Sequence, residues 1–269
     1  MSNGYHIVVC GSLVPDPLQT LEPVTTPNGP SLKNEMMLPA ALDPWAGHAL
    51  YEAANLAKQN TETKVWLVSL GAKPKLQQLM MSIAQKAAFG FVPVDGSASG
   101  FLSAYDCATA LSNAIKSIPG LDMQRLLLFG GWESASRGAG ITLQLVGETL
   151  GITDQFMGVD SIQPNSDGSF TVLERVEGAM HQESLCAGAP AVLGWATGNL
   201  PEPVNNPQVG MINMRTIMPA LQKAAKANIS LDGVEYASVN LPKQLRDTRV
   251  VKDMPVEEIA QEIVNWIKQ

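Results

Sequence analysis

LLLFGGWESASRGAGI, residues 126–141, is the stretch whose reading decides the fold. A short, wholly apolar run breaks at Gly130-Gly131, and a loop of small and polar residues follows. Gly138-Ala139-Gly140 then opens what reads as a helix ending near Gly151. A buried strand, a glycine-containing loop and a helix start, in that order, make an anion-binding arrangement. Free backbone N–H groups and the positive end of the helix dipole face whatever sits in the loop. A tight strand-to-helix crossover that binds nothing carries the same signature.

Composition bounds what the loop can serve. A chain of 269 residues with 45% hydrophobic content has room for one large α/β domain, or for one domain plus a substantial arm. The net charge of −7 argues against a nucleic-acid binder, which carries a basic face. No run approaches the roughly 18 apolar residues of a membrane span. The start, MSNGYHIVVCG, runs almost directly into a strand without a basic n-region, so a cytoplasmic location is expected. Cys10, Cys107 and Cys186 are odd in number and far apart, a pattern that suits a reducing compartment rather than a disulfide framework. His6, His48 and His181 lack partners at ligand spacing, so no metal site is expected.

Around the decisive loop, strands and helices alternate. HIVVC (6–10) reads as a buried strand. A Pro-, Thr- and Asn-rich segment follows to about Leu38, too long for a simple connection and read as either a functional loop or a small antiparallel excursion. Asp43-Pro44 gives an N-cap with proline at N1 for a helix burying Leu50, Ala53, Ala54 and Ala57. KVWLVSL (64–70) is the next buried strand. Leu76, Leu79, Met80, Ile83, Ala84 and Ala87 fall on one helical stripe that Gly90 is expected to stop, with Met80 and Met81 as core filler. Residues 91–94 read as a short strand, and Tyr105, Ala108, Leu111, Ile115 and Ile118 mark another amphipathic helix. The alternation specifies a parallel sheet with right-handed crossovers, hence helices on both faces in the manner of Rossmann-like folds.

After the loop the pattern changes. Residues 159–162 and 169–175 flank PNSDG, a hairpin signal whose second arm runs on through VEGAMHQESLCAG. AVLGW (191–195) returns to a buried strand. NLPEPVNNPQVG reads as a long exposed connector and residues 219–228 as a short helix. Residues 229–252 have little periodicity. Asp253-Met254-Pro255 then caps a final helix with Val256, Ile259, Ile263 and Trp266 on one face. The expected division is a nucleotide-binding α/β domain over 1–228 and a C-terminal arm over 229–269. Taken alone, the arm's apolar face is expected to fold back on its own domain, as compact domains bury such faces.

Catalytic constellations are weak. Ser134 and Ser136 sit near Glu133, but GWESAS is not the G-x-S-x-G of a nucleophile elbow. Neither a G-x-x-x-x-G-K-[ST] phosphate loop nor a G-x-G-x-x-G after the first strand is present. What remains is a nucleotide pocket at the carboxyl ends of parallel strands. Cys10, Asp43, Pro44, Trp45, Ala46, Leu70 and the loop after Phe129 converge there, at the switch point of strand order. Arg137 either brings a fixed positive charge to a phosphate or is a solvated loop arginine.

These segments together resemble the beta subunit of electron-transfer flavoproteins. HIVVCGSLVPD resembles that family's first strand, LDPWAGHALYEAANLA its first helix and VWLVSLGA the strand after it. VLERVEGAMHQESLCAGAPAVLGWATG resembles the hairpin and return strand, and RTIMPALQKAAK a segment with Leu-Pro and a downstream Lys-Ala. The resemblance implies a fold related to adenine-nucleotide alpha-hydrolases and a subunit without bond chemistry of its own. It implies AMP held structurally here and FAD in a partner alpha subunit. The heterodimer would take electrons from dehydrogenases, such as acyl-CoA dehydrogenases, and pass them to a quinone reductase. Cys10, Asp43, Pro44, Trp45, Ala46 and Leu70 match positions around the adenosine. Gly138, Ala139 and Gly140 match the helix start that holds the phosphate, within a loop that includes Gly130, Gly131, Glu133, Ser136 and Ile141. Met218, with Pro219, matches a loop that anchors partner dehydrogenases and so is expected to be exposed. The C-terminal arm in the family wraps the alpha subunit.

The chain also departs from the family pattern. Its loop is shorter, Glu133 stands for a Gln and Ser136 for an Asp, and Gly138-Ala139 replace side-chain donors. Ser12 stands where a basic residue is usual. Two alternatives follow: an electron-bifurcating subunit with a second FAD in place of AMP, or a stand-alone adenine-nucleotide-binding domain.

Overall fold

The run HIVVC becomes an inner strand of a nine-stranded, mostly parallel sheet. The computed structural model describes residues 4–98, 100–136, 138–230, 236–243 and 248–268. Along the chain come β1 (His6–Cys10), β2 (Leu13–Pro15), β3 (Pro23–Thr26), β4 (Gly29–Leu32), β5 (Ala40–Leu42), α1 (Pro44–Gln59), β6 (Lys64–Gly71), α2 (Lys73–Ile83), β7 (Gly90–Asp95) and α3 (Ala104–Lys116). Then follow β8 (Leu126–Gly131), α4 (Ile141–Thr149), β9 (Gln155–Pro164), β10 (Phe170–Val176), β11 (Met180–Cys186), β12 (Ala191–Trp195), α5 (Pro207–Gln222), β13 (Ala225–Lys226) and α6 (Val256–Ile267). The sheet order is β11-β10-β9-β12-β8-β1-β6-β7-β13, antiparallel only where β9, β10 and β11 meet.

Strands buried on both faces need apolar residues at every position, which is why β1, β8 and β12 read as continuous hydrophobic runs. Ile7 lies between Val65 and Leu127 in register. Ile7 and Val9 pack with Leu50 and Ala53 of α1, Leu76 and Met80 of α2, and Ile217 and Leu221 of α5. Val8 faces the other way, onto Leu111 and Ile115 of α3 and Leu143 and Val146 of α4. Helices therefore cover both faces, as the alternation predicts.

One open alternative is decided, and several other expectations are corrected. The segment after β1 is an antiparallel excursion, with β2 on β5 and β3 on β4. The stripe helix α2 ends at Ile83, not at Gly90, which opens β7. Asn213 of α5 explains the early stop: its buried amide donates to the carbonyls of Ala84 (2.7 Å) and Ala87 (2.6 Å). Met81 is exposed rather than core filler, because it lies one position off the buried stripe of α2, and Tyr105 is exposed in the first turn of α3. The second hairpin arm turns again at Gly178 and Ala179, both at positive φ, and returns as β11. The connector ends at Asn206, whose side chain caps α5 from Pro207, and residues 219–222 are the last turn of that helix.

The chain divides into two units, Met1–Val239 and Asn240–Gln269. The first unit extends beyond Asn228 because Ser230 is tied back: its carbonyl accepts from the Ser103 N–H, and its hydroxyl bonds the Asp106 carboxylate. The second unit contains α6, on which Val256, Ile263, Trp266 and Ile267 are all exposed. Among the described residues no helix is long and apolar enough to cross a membrane.

Candidate functional site

The sheet reverses direction at β1. From there the chain moves out through β6 and β7, then crosses back to lay β8 on β1's other side. A crevice opens beyond the carboxyl ends of strands at such a switch point. Cys10 ends β1 and Gly131 ends β8, and both line a cavity of about 140 Å³ there.

Three helices begin around this cavity, and only one of them starts without a side-chain cap. Asp43 caps α1, its Oδ1 accepting from the Trp45 N–H at 3.1 Å. Ser103 caps α3, its hydroxyl accepting from the Asp106 N–H at 3.2 Å. Helix α4 starts at Gly140 with no side-chain cap, and Ala139, Gly140, Thr142 and Leu143 line the cavity. The opening N–H groups of a helix have no intrahelical partners, so this end is the one built to receive an acceptor.

The loop between β8 and α4 is held from three sides. Trp132 donates its N–H to the Trp195 carbonyl on β12 (3.0 Å), and its ring lies against Gly158. Ala135 donates to Asp43 Oδ2 (2.9 Å), which joins the loop to the start of α1. Gly138, at φ +67°, donates to the Ser134 carbonyl (2.8 Å). The loop then closes on itself so tightly that a Cβ at Gly140 would lie 1.8 Å from the Trp132 carbonyl oxygen. At Gly131 a Cβ would meet the Trp45 Cβ at 2.7 Å. The glycines at the two ends are therefore steric requirements of the fold, whether or not a ligand binds.

Among the described residues, the charged groups lining the cavity are carboxylates. Burial raises the Asp43 carboxyl above its ordinary value, against the N–H groups of Ala135, Trp45 and Ala46 that hold it down. Glu133 also lines the cavity and accepts no hydrogen bond from the described residues. Cys10 keeps part of its surface open to the cavity, yet burial pushes its thiol up to about 12, leaving it protonated and unreactive at neutral pH.

Nine of the predicted residues are brought together here: Cys10, Asp43, Ala46, Leu70, Gly131, Glu133, Ser136, Ala139 and Gly140. Others stand beside the cavity without lining it. Pro44 is the first residue of α1, Trp45 packs at Gly131, and Gly130 abuts Leu143. Gly138 shapes the loop's turn, and Ile141 is exposed. Arg137 lies outside the described residues. Met218 and Pro219 lie elsewhere, on α5 and not on a loop. Met218 is half-buried against the core, while Met211 and Ile212 supply that helix's exposed apolar surface.

Sequence reasoning missed two walls. One is β2, through Leu13, Val14 and Pro15; the other is the start of α3, through Ala104, Cys107 and Leu111. The legible signal was Ser103, an N-cap before the apolar stripe, which puts another helix start at the same end of the sheet. Among the described residues no group of three or more His, Cys, Asp or Glu side chains could hold a metal ion. No protein-family model matches the chain, and no curated protein matches it.

Proposed function

We propose that this chain is the beta-type subunit of a heterodimeric electron-transfer flavoprotein. In this reading it binds an adenine nucleotide structurally, AMP in the family it resembles, and carries out no bond chemistry itself. FAD resides in the partner alpha subunit, and the pair moves electrons from a dehydrogenase, such as an acyl-CoA dehydrogenase, to a quinone reductase in the cytoplasm. The fold belongs in this reading to the adenine-nucleotide alpha-hydrolase-like group of Rossmann-like folds.

The observation that carries the proposal is the cavity beyond β1 and β8, where α4 alone opens without a side-chain cap. A base fits the apolar floor of Leu70, Leu111 and Leu143, and an acceptor group of the ligand fits the N–H groups at the start of α4. The protonated Cys10 is consistent with a binding role. The exposed apolar face of α6 supports a partner chain, and α5, with Met218 and Pro219, is the proposed dehydrogenase-facing segment.

The test is to purify the chain with whatever co-purifies, release bound nucleotides in acid, and identify them by mass spectrometry. One FAD per heterodimer together with an adenine ligand is expected. Two flavins would assign the bifurcating type. A monomer free of nucleotide, or one that hydrolyses ATP, would sink the proposal.

A further inference from the structure

The amino end of β1, away from the cavity, opens on a histidine with almost no access to water. His6 is 3% exposed, and its Nδ1 accepts the backbone N–H of Asp122 at 2.8 Å. A backbone N–H only donates, so Nδ1 carries no proton and the ring is neutral. From β6 the ring is faced by Lys64, its partner in register, and by Trp66, whose ring stands T-shaped to it at 5.2 Å. From β8 the register partner is the apolar Leu126. From the turn before β8 come Asp122 and Arg125, whose guanidinium donates to the Gly4 carbonyl. Burial, and then the cations Arg125 and Lys64, hold the imidazole below its ordinary value, while Asp122 pulls it up. Asp122 also has a second task in that turn. Its Oδ1 accepts the Gln124 N–H (3.0 Å) and so caps the 3₁₀ turn Met123–Arg125 that leads into β8.

A proton on Nδ1 turns this acceptor into a donor, and the Asp122 N–H loses its partner. Of the groups facing the ring, the Asp122 carboxylate is the anion that answers an imidazolium, and moving there withdraws it from Gln124. The turn thus has two exclusive hydrogen-bond arrangements, selected by one proton. We propose that His6 is a proton-operated latch on the turn 119–125: neutral, it holds the Asp122 N–H and keeps the turn closed; protonated, it releases that N–H and draws the carboxylate off the 3₁₀ cap. The latch is independent of the nucleotide and partner readings. Its sign follows from which form takes the proton. The open turn accepts the proton that the closed turn excludes. The closed form is therefore complete above the ordinary histidine value of about 6.5 and is lost as pH falls through the lowered one.

Native-state hydrogen exchange read by NMR on the purified full chain, across about pH 5–8 and corrected for intrinsic exchange, tests the latch. Protection of the Asp122 amide is expected to fall about tenfold per pH unit below about 6.5 until the lowered value is passed. Val8 and Leu128, in the same sheet, should stay protected, and the His6 ring nitrogens should report protonation over the same interval. H6N keeps an acceptor in the place of Nδ1 but does not titrate, so its Asp122 amide should stay protected throughout. D122N keeps the N–H donor and removes the anion, so the loss of protection should move to lower pH. Asp122 protection that is flat with pH overturns the proposal. So does a loss shared with Val8 and Leu128, which is global unfolding, and so does a loss that persists in H6N, which belongs to another group. An unmoved midpoint in D122N overturns the two-arrangement turn. Should H6N fail to fold, the wild-type ring decides: protonation of His6 at a pH other than that at which Asp122 opens overturns the latch.

Discussion

At the scale of single residues, the loop's two glycine requirements differ in kind and predict different costs. At Gly140 an added methyl would collide with the Trp132 carbonyl oxygen at 1.8 Å, so G140A must displace backbone. At Gly138 nothing lies within 4 Å, and only the φ of +67° opposes a side chain. G138A is therefore expected to cost about 1–2 kcal/mol from the left-handed conformation alone. G140A is expected to cost about 1–3 kcal/mol, the range for forced overpacking, and to weaken adenine-ligand binding as well, because the start of α4 moves. Urea midpoints and calorimetry on the two variants check this; equal binding in both would remove the steric argument. Asp43 makes a prediction about pH. Its carboxyl is raised by burial, so folding favours the protonated form. Its contribution to stability is full below the unfolded value of about 3.9 and is lost as pH rises through the folded one. Wild-type stability relative to D43N should therefore fall as pH increases across that interval. A midpoint difference that stays flat or rises with pH would contradict the assignment.

At the scale of elements, Asn213 is the residue that lets α2 stop where it does. The stripe through Ala87 continues a helical pattern, and no glycine breaks it until Gly90. The amide of Asn213, buried and donating to the carbonyls of Ala84 and Ala87, supplies the cap from another helix. Removing a buried donor leaves those acceptors unsatisfied, so N213A is expected to lower stability by about 1–3 kcal/mol, read from urea unfolding. M211A, on the exposed side of α5, is expected to change the midpoint little. This example marks what was legible in the sequence. The parallel strands announced themselves through runs buried on both faces, α1 through its Asp43-Pro44 cap and α3 through its apolar stripe, since those signals are local. The end of α2, the full length of α5 with Pro219 inside its last turn, and the second turn before β11 depend on partners far along the chain. The same division holds at the site. Residues at the ends of β1, β6 and β8 could be placed from strand order, whereas the walls from β2 and α3 become neighbours of the pocket only once the sheet is assembled.

At the scale of the whole molecule, the two units differ in what they can bury. The unit Met1–Val239 holds the sheet, both helix layers and the cavity, with large side chains such as Trp195, Phe129 and Phe170 fully enclosed. The unit Asn240–Gln269 has one described helix, and none of its residues is buried. Helix α6 nevertheless has one apolar face through Val256, Ile259, Ile263 and Trp266, opposite Glu257, Glu258, Glu262 and Gln261. A short isolated helix is marginal in water, and its stability comes from packing its apolar face. The face is thus exposed apolar surface without a core of its own. A chain truncated after Val239 is accordingly expected to keep the thermal midpoint of the full chain within a few degrees, because a change well under 1 kcal/mol shifts a domain of this size only slightly. On the proposed function it should also keep its affinity for an adenine ligand, since every described residue lining the cavity precedes the cut. On the proposed function, capture of a flavin-bearing partner should fall sharply, because the exposed apolar face goes with the deleted segment. Thermal unfolding, calorimetry and co-purification on the one truncated chain test the three parts together. Loss of the folding transition would mean that the first unit depends on the second, whereas full retention of the partner would free α6 from any role in assembly.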